Sequence, residues 1–379
     1  MTGISDGTAA APVRIAMVGL GWAATSIWLP RLRRHPRYTV TAVVDPAPGA
    51  PEVLGAQGID APLFTEAGQL PADIADLAVV AVPNHLHATV AAALLTRGIP
   101  VFLEKPVCLS KEEAQALAAA EEAGGAVLLA GSAARYRADV TALRETVKGL
   151  GQVRHVDLEW IRARGVPDAG GWFTDSSLAG GGALLDLGWH LLDTLTSLLG
   201  PAGFGQAVGT VSSDFLNHGS ARAAWRDDEP ALAMAAGDVE DTARGFLITD
   251  EGVSVALRAS WASHAGTDVT RIRVEGSDGT AALECTFGFS PNRVAAPTVT
   301  HTRDGITTEV PVRAEEIGAE YVRQLDALPV LLADPTLRGR AVEDAARTIG
   351  VIERVYGSAR EARTRRAAQA LVPTLERQS

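Results

Sequence analysis

The feature that most restricts the fold of this chain is a glycine turn that joins a short apolar run to a helical pattern. Residues 19–24 read G-L-G-W-A-A, a G-x-G-x-x-A sequence. In such a turn Gly19 permits the tight bend, Gly21 lets the backbone approach a pyrophosphate, and Ala24 lets the helix pack closely on the strand. The N–H groups that open the helix would bind the phosphates. The turn therefore predicts a dinucleotide-binding βαβ unit.

An acidic residue stands where such a unit places the adenosine ribose. Asp45 ends the second strand-like run, about 20 residues beyond the turn. A carboxylate there accepts hydrogen bonds from the ribose hydroxyls and repels a 2′-phosphate, and the residues that follow, Pro-Ala-Pro at 46–48, carry no cation to neutralise one. We therefore predict NAD(H) rather than NADP(H), bound by Asp45 and by the turn, including Trp22 and Ala23.

The first 130 residues alternate between short apolar runs and helical patterns. This alternation is typical of βαβ crossovers, so it predicts an α/β, doubly wound Rossmann domain with a parallel sheet at residues 13–132, behind a loose tail at residues 1–12. The predicted strands are residues 14–18, 39–44, 77–82, 101–103 and 127–130, and the predicted helices are residues 87–96 and 111–122.

The order of strand and helix patterns changes near residue 151, beyond which strand patterns outnumber helical ones. This half, residues 133–379, is predicted to be an α+β domain with an open, mostly antiparallel sheet. Residues 217–238 are irregular and indicate an insertion or loop. The predicted strands are residues 153–164, 209–213, 245–249, 253–261, 270–275 and 280–285, and the predicted helices are residues 184–199, 315–332 and 342–359.

Composition excludes several classes of protein. The chain has 379 residues and a net charge of −11, without the Lys and Arg cluster of a nucleic-acid surface. Cys108 and Cys285 form no CxxC pair, which disfavours a disulfide framework and a thiolate metal site. No apolar run approaches the ~18 residues of a membrane span, and the N-terminus lacks a signal-peptide pattern. We expect a cytoplasmic protein with no nucleic-acid or membrane partner.

Lys105 is the first candidate for chemistry. The triplet Glu104-Lys105-Pro106 follows the apolar run at residues 101–103. Ligands of doubly wound sheets bind beyond the carboxyl ends of the strands, so this position places Lys105 in the ligand crevice. An isolated lysine before a turn proline is otherwise a surface residue.

A second candidate cluster lies on a helix. Asp186, His190 and Asp193 are spaced i, i+4 and i+7, and we expect them to share one helix face. Most of their neighbours between residues 184 and 195 are apolar, which predicts a buried helix whose acids and imidazole need partners. A divalent metal held by these three was the alternative, but nothing else in the sequence completes such a site, so no metal is predicted.

Taken together, these motifs resemble the Gfo/Idh/MocA oxidoreductases. Residues 82–87, V-P-N-H-L-H, are similar to the family's T-P-N-x-x-H, with Val82 in place of the usual Thr. Glu104-Lys105-Pro106 matches the family's most recognisable signature, and residues 186–193 match its D-x-G-x-H-x-x-D. Further similarities are Arg135-Tyr136, Trp172, the glycine run at residues 180–182 and Val239-Glu240-Asp241-Thr242-Ala243.

The resemblance implies an activity and a site. The family reversibly oxidises a secondary hydroxyl of a sugar, a sugar derivative or a cyclitol with a nicotinamide cofactor. By this resemblance Pro83, Asn84 and His87 would line the cofactor, and Glu104 would lie near the nicotinamide. It also implies that the last helix, about residues 340–360, packs back on the Rossmann domain.

Lys105, Asp186 and His190 would then surround the reacting carbinol. His190, whose ordinary pKa suits proton transfer near neutrality, is preferred as the base over Lys105, which would steady the alkoxide. Asp186 would grip a substrate hydroxyl or hold the imidazole, with Asp193 behind them. Substrate contacts are expected from Tyr136, Trp172 and Arg162, the last on the same strand face as Arg164.

Two other functions remain open: a non-catalytic NAD(P)-sensing regulatory protein on the same scaffold, and a reductase or dehydrogenase of a non-sugar substrate. The presence of both Lys105 and His190 favours an enzyme. For assembly, the alternating residues Val253, Val255, Leu257 and Ala259 are expected to form a bare apolar sheet face, which predicts a homodimer or homotetramer built sheet to sheet.

Overall fold

The N-terminal half of the computed structural model is a parallel sheet covered by helices on both faces. The structure describes residues 11–167, 171–223 and 236–370, so most of the predicted tail and part of the predicted insertion lie outside it. The sheet has the order β3-β2-β1-β4-β5-β6, and all its pairs are parallel, which confirms the doubly wound prediction. Its strands are β1 (Val13–Val18), β2 (Tyr38–Val44), β3 (Leu63–Phe64), β4 (Leu77–Val80), β5 (Val101–Leu103) and β6 (Leu128–Ala130).

Helices connect these strands, and local sequence explains their ends. The Ser110 side chain accepts a hydrogen bond from the Glu113 N–H and so begins one helix, and Gly125, in a left-handed conformation, ends it. The helix after the glycine turn is π-helical over Ala23–Trp28 and α-helical over Leu29–Arg34. The other helices are Ala50–Gln57, His87–Thr96 and Lys111–Gly124, with single turns at Ala67–Gln69 and Asn84–Leu86.

The C-terminal half is built on an eight-stranded sheet of order β14-β13-β12-β11-β7-β10-β9-β8. Among its described strands only β7 and β10 pair in parallel, so the prediction of a mostly antiparallel sheet is confirmed. The strands are β7 (Val153–Ile161), β8 (Phe204–Ser212), β9 (Thr242–Thr249), β10 (Ser254–Ser260), β11 (Val269–Gly276), β12 (Gly279–Cys285), β13 (Thr298–Arg303) and β14 (Ile306–Val310).

Helices cover one face of this sheet and extend to the first domain. The last helix, Arg340–Ala370, contacts both β8 and the Rossmann helix Lys111–Gly124. The side chains of Leu325 and Leu328 are buried in the core of the Rossmann domain. The helices are Ala138–Val147, Ser176–Ala179, Leu184–Gly188 (π-helical), Trp189–Leu199, Ala319–Leu332 and Arg340–Ala370, with single turns at Ala133–Tyr136, Trp172–Thr174, Gly219–Ala221 and Pro335–Leu337. None of the described helices is long and apolar enough to cross a bilayer.

The apolar row of β10 lies on the covered face of the sheet, which corrects the expectation of a bare apolar face. Val255, Leu257 and Ala259 are 0–3% exposed and belong to the core beneath the helices. An alternating strand has one apolar face, and the helices take it because burial of apolar surface drives their packing. The open face instead carries charged pairs such as Arg271 with Glu284 (2.7 Å).

Candidate active site

A cavity of about 750 Å³ lies between the two domains, beyond the carboxyl ends of β1, β4 and β5. The glycine turn and Asp45 line one end of it. Lys105, Asp186 and His190 line the other end. The three predicted catalytic side chains, which lie up to 85 positions from one another in the sequence, therefore share a single space with the predicted cofactor turn.

The glycine turn has the geometry that dinucleotide binding requires. Gly19 has φ = +91°, and a Cβ there would lie 2.5 Å from the Ala81 carbonyl oxygen, so the position requires glycine. A Cβ at Gly21 would meet no atom within 4 Å, which leaves the backbone open for a phosphate. Ala24 is fully buried in the Rossmann core. The turn thus exposes its backbone in front of a helix N-terminus.

Asp45 is held at the glycine-turn end of the cavity by backbone N–H groups. Its carboxylate accepts hydrogen bonds from the Leu20 N–H (2.7 Å) and the Ala47 N–H (2.8 Å). Residues 65–67, which the sequence reading had not assigned, complete this end and add the carboxylate of Glu66. In the described part of the chain, neither Lys nor Arg lines this end of the cavity.

The V-P-N-H-L-H turn lines the middle of the cavity and is fixed to its surroundings. His87 is 1% exposed, and its two ring nitrogens lie 2.6 Å and 2.8 Å from the carbonyl oxygens of Pro106 and Val82. Burial lowers the pKa of His87 to about 4, while the two carbonyl oxygens favour its protonated form and oppose that shift. The Asn84 side chain donates to the Ala179 carbonyl (2.9 Å), and Pro83 lines the cavity beside it.

Glu104 is a partly buried acidic residue beside the lysine. It accepts hydrogen bonds from the Trp28 indole N–H (2.7 Å) and from the Lys105 backbone N–H (3.0 Å). Burial raises the pKa of Glu104. The next peptide bond, between Lys105 and Pro106, is cis.

Lys105 and Asp186 form an ion pair across the domain boundary. Lys105 Nζ lies 2.5 Å from Asp186 Oδ1, and the Trp261 indole donates to Asp186 Oδ2 (2.8 Å). Burial alone would raise the pKa of Asp186, but the positive charges of Lys105 and Arg162 outweigh it and hold that pKa well below its usual range. The acid is therefore ionised and keeps the ammonium group in place.

His190 lies one helical turn beyond Asp186 and against the ring of Trp160, with 5.6 Å between ring centroids. Burial first, and then the charge of Lys105, lower the pKa of His190 to about 3, while the Asp186 charge opposes the shift. Among the described residues no hydrogen-bond acceptor or donor engages the ring, and Asp186 therefore does not hold the imidazole. The ring is therefore neutral and faces the cavity, and the same shift makes it a weaker proton acceptor than free imidazole.

Family comparisons agree with this geometry. Residues 13–132 match the profile of the oxidoreductase family with an NAD-binding Rossmann fold, and residues 140–282 match the GFO/IDH/MocA C-terminal domain. The chain is a Gfo/Idh/MocA oxidoreductase. The resemblance noted in the sequence is thereby confirmed.

Several relatives of this oxidoreductase carry the names of sugar oxidoreductases. It is 59% identical, over 94% of its length and 99% of the relative's, to a protein of Amycolatopsis mediterranei assigned by name as a UDP-kanosamine synthase oxidoreductase subunit. It is 29% identical to D-glucoside 3-dehydrogenase of Escherichia coli, over 50% of this chain and 54% of that protein. An aldose-aldose oxidoreductase from Caulobacter crescentus shares its fold, with a TM-score of 0.72, 23% identity and coverage of 93% of this chain and 98% of that one.

Two expected site residues of this Gfo/Idh/MocA oxidoreductase face elsewhere. Tyr136 lines a separate cavity of about 500 Å³, together with Asp193. Asp193 pairs there with Arg135 (2.5 Å) instead of sharing the face of Asp186 and His190. The helix begins with a π-helical segment, Leu184–Gly188, whose rotation per residue differs from the α-helical value behind the i, i+4, i+7 prediction.

Of the two arginines expected on one strand face, only Arg162 lines the cavity, and Arg164 is exposed. The strand ends at Ile161, so strict alternation does not continue to Arg164. Trp172 lines the cavity as expected.

The sequence reading missed most of the aromatic wall. Aromatic residues make up only 5% of the chain. Because they are scarce, aromatic residues close to the predicted catalytic groups were the one signal that could have revealed this wall. Phe173 places its ring 5.9 Å from Lys105 Nζ, and Phe289 makes an edge-to-face contact with Trp22 (5.9 Å). The missed residues that line the cavity are Trp160, Phe173, Phe289 and Tyr321, while Trp28 and Trp261 are fully buried and donate to Glu104 and Asp186. Nowhere in the described ranges do three metal-ligating side chains cluster as a metal site would need.

Proposed function

We propose that the protein is an NAD-dependent dehydrogenase that oxidises a secondary hydroxyl of a sugar to a ketone. The observation that carries the proposal is the convergence of Lys105, Asp186 and His190 at the end of the cavity opposite the glycine turn and Asp45. Hydride leaves a carbinol carbon only as its hydroxyl proton is removed, so the reaction needs a base and a cation at one oxygen. The two groups are adjacent here.

Each residue has a distinct part in the proposed reaction. A nicotinamide cofactor bound at the glycine turn would supply the hydride acceptor. His190, neutral at pH 7, takes the hydroxyl proton at a ring nitrogen. Lys105 donates a hydrogen bond to the same oxygen as it becomes an alkoxide, and the 2.5 Å pair with Asp186 aims its ammonium group at the cavity. Asp186, whose other oxygen is held by Trp261, can also accept from a neighbouring sugar hydroxyl.

NAD is the proposed cofactor because the ribose end of the cavity is acidic. Asp45 and Glu66 would oppose the 2′-phosphate of NADP, and no described cation at that end would offset them. The cradle at Gly21 fits a pyrophosphate. Turnover with each cofactor tests this assignment, and a strong preference for NADP would contradict it.

The proposed substrate is a hexose carried on uridine diphosphate. The similarity to the Amycolatopsis protein, 59% over nearly the whole of both chains, supports this class. An amino sugar such as kanosamine needs an amine in place of a hydroxyl, and oxidation of that carbinol to a ketone is the step an oxidoreductase contributes. Trp172 offers a flat surface to a sugar ring, and Arg162 offers a cation for phosphate. A partner subunit would then aminate the ketone.

The test is a nicotinamide absorbance assay with matched substrates. UDP-hexoses, the same hexoses free and as 1-phosphates, and inositols are each offered with NAD. We expect reduction of NAD with a UDP-hexose, and a far lower kcat/KM with the free sugar. Turnover of inositols or free aldoses alone would contradict the UDP-hexose assignment. NAD binding with no turnover of any polyol would favour the non-catalytic NAD-sensing protein.

A further inference from the structure

A buried carboxylate outside the cavity holds the start of the helix that carries Asp186 and His190. Glu240 is 7% exposed, and its Oε2 accepts a hydrogen bond from the Gly182 N–H (3.0 Å). Its Oε1 accepts from the Leu184 N–H (2.9 Å) and from the hydroxyl of Tyr356 (2.8 Å), which belongs to the last helix. Three donors therefore converge on one buried carboxyl group, whose pKa burial raises and these hydrogen bonds lower.

The glycine run before this helix is shaped to fit these partners. A Cβ at Gly182 would collide with the backbone carbonyl of Glu240, and a Cβ at Gly181 would collide with the Tyr356 hydroxyl. The Ala183 N–H also donates to the Glu240 carbonyl oxygen (3.0 Å). Only glycine lets the chain approach so closely, so the run serves the contact with Glu240 and Tyr356.

The contact lies two residues from Asp186. Leu184 N–H is an orphan donor of the helix N-terminus, where a negative charge is also favoured by the helix dipole. The residue after Glu240 contacts Asp186 indirectly, through Trp261. The Asp241 backbone carbonyl accepts a hydrogen bond from the Trp261 backbone N–H (2.8 Å), and the Trp261 indole N–H donates to Asp186 Oδ2 (2.8 Å). One short segment thus fixes Asp186 from two directions.

We propose that Glu240, supported by Tyr356, is a positioning residue of the dehydrogenase: it sets Asp186 and His190 against Lys105 without touching the substrate. The inference rests on the proposed function for its kinetic effect. A shift of about 1 Å at reacting groups costs up to about 10²-fold in rate. The cofactor end of the cavity, at Gly21 and Asp45, is built by the other domain and is independent of this contact.

The test compares Glu240→Gln with Glu121→Gln, a matched control in the Rossmann domain. Glu121 is likewise buried (1% exposed) and accepts from the Leu128 N–H (2.6 Å), but it lies away from the cavity. We expect Glu240→Gln to lower kcat by about tenfold or more, with the KM for NAD within about twofold of wild type. Tyr356→Phe should lower kcat less, and its control is Tyr38→Phe, which loses the bond to the Leu325 carbonyl. A structural role alone would lower stability in all four variants and would not separate kcat from the KM for NAD.

Hydrogen exchange of the backbone amides at residues 182–190 supplies a second readout that needs no substrate. Exchange there should be faster in Glu240→Gln and unchanged in Glu121→Gln. Equal kcat in the two variants, or unchanged exchange in Glu240→Gln, would overturn the inference. If the wild type oxidises no sugar, the proposed function fails by that result, and the exchange data alone decide whether Glu240 holds the helix.

Discussion

Lys105 and His190 face the same space but differ in how the protein holds them. Lys105 is tied to Asp186 at 2.5 Å, whereas His190 rests against Trp160 with its nitrogens available to the cavity. This difference favours proton uptake by His190 and hydrogen-bond donation by Lys105.

Replacement of either residue should therefore remove turnover and leave cofactor binding. We expect Lys105→Ala and His190→Ala to bind NAD with nearly the wild-type Kd, since the glycine turn and Asp45 are untouched, while kcat falls by about 10²–10⁴. Stopped-flow turnover and NADH fluorescence titration measure the two quantities. The exposed Lys148→Ala is the control variant. If His190→Ala keeps its rate, Lys105 or a water molecule is the base.

The pH dependence of oxidation should report the burial of His190. Its pKa in the fold is about 3, below the ordinary 6.5, and the basic form is present above the pKa. The acid limb of kcat/KM should accordingly fall well below pH 6.5, because lowering the pKa extends the neutral form to lower pH. A pH profile measured from pH 5 to pH 9 checks this. A limb at or above pH 6.5 would contradict the assignment of this buried imidazole as the base.

At the scale of elements, alternating and apolar sequence patterns predicted most strands and helices, but they did not predict the strands made mainly of polar residues. The helix His87–Thr96 and the strand Val101–Leu103 have the predicted bounds. β13 and β14 were missed because most of their side chains are polar or charged, so no apolar run marks them; β14 is the edge strand and β13 lies next to it. The π-helical segments were also missed, since a periodicity of 3.6 is assumed when a pattern is read as a helix.

The glycine turn offers a paired test of element and function. Gly19→Ala should destabilise the protein by about 1–3 kcal/mol, because a Cβ at positive φ would meet the Ala81 carbonyl. Gly21→Ala has open space around its Cβ, so its Tm should stay near wild type. Its methyl group would instead occupy the space left for a pyrophosphate, and we expect the Kd for NAD to rise about tenfold or more. Thermal unfolding and NADH titration separate the two effects, and an unchanged Kd in Gly21→Ala would contradict the cofactor cradle.

At the scale of the whole molecule, the uncovered sheet face remains the expected surface of assembly. The apolar row that first suggested it is buried, but Val208 and Phe246 are 56% and 45% exposed on the sheet. The sequence resemblance also implies association through this face.

We expect a homodimer or homotetramer at micromolar concentration by light scattering, and dissociation on Phe246→Glu, because a charge there would have to be buried between sheets. Val330→Glu, on a helix away from the sheet and 71% exposed, is the control that should leave the mass unchanged. A monomeric wild type would refute the prediction.

The sequence by itself determined the parallel sheet, the glycine turn, the place of Asp45 and the position of Lys105 at a strand end. These depend on neighbours within a few residues, or on the rule that ligands lie beyond the carboxyl ends of parallel strands. The side of the helix that Asp193 faces, and the cavity that Tyr136 enters, were decided only by tertiary structure.

The partners of the site residues were likewise decided in three dimensions. Lys105 meets Asp186 across 81 positions, Trp261 meets Asp186 across 75, and Tyr356 meets Glu240 across 116. Local sequence patterns do not predict such pairings, because they form only when the second domain folds on itself and packs against the first. The low pKa of His190 has the same origin: burial by distant residues, not the local sequence, keeps its ring neutral.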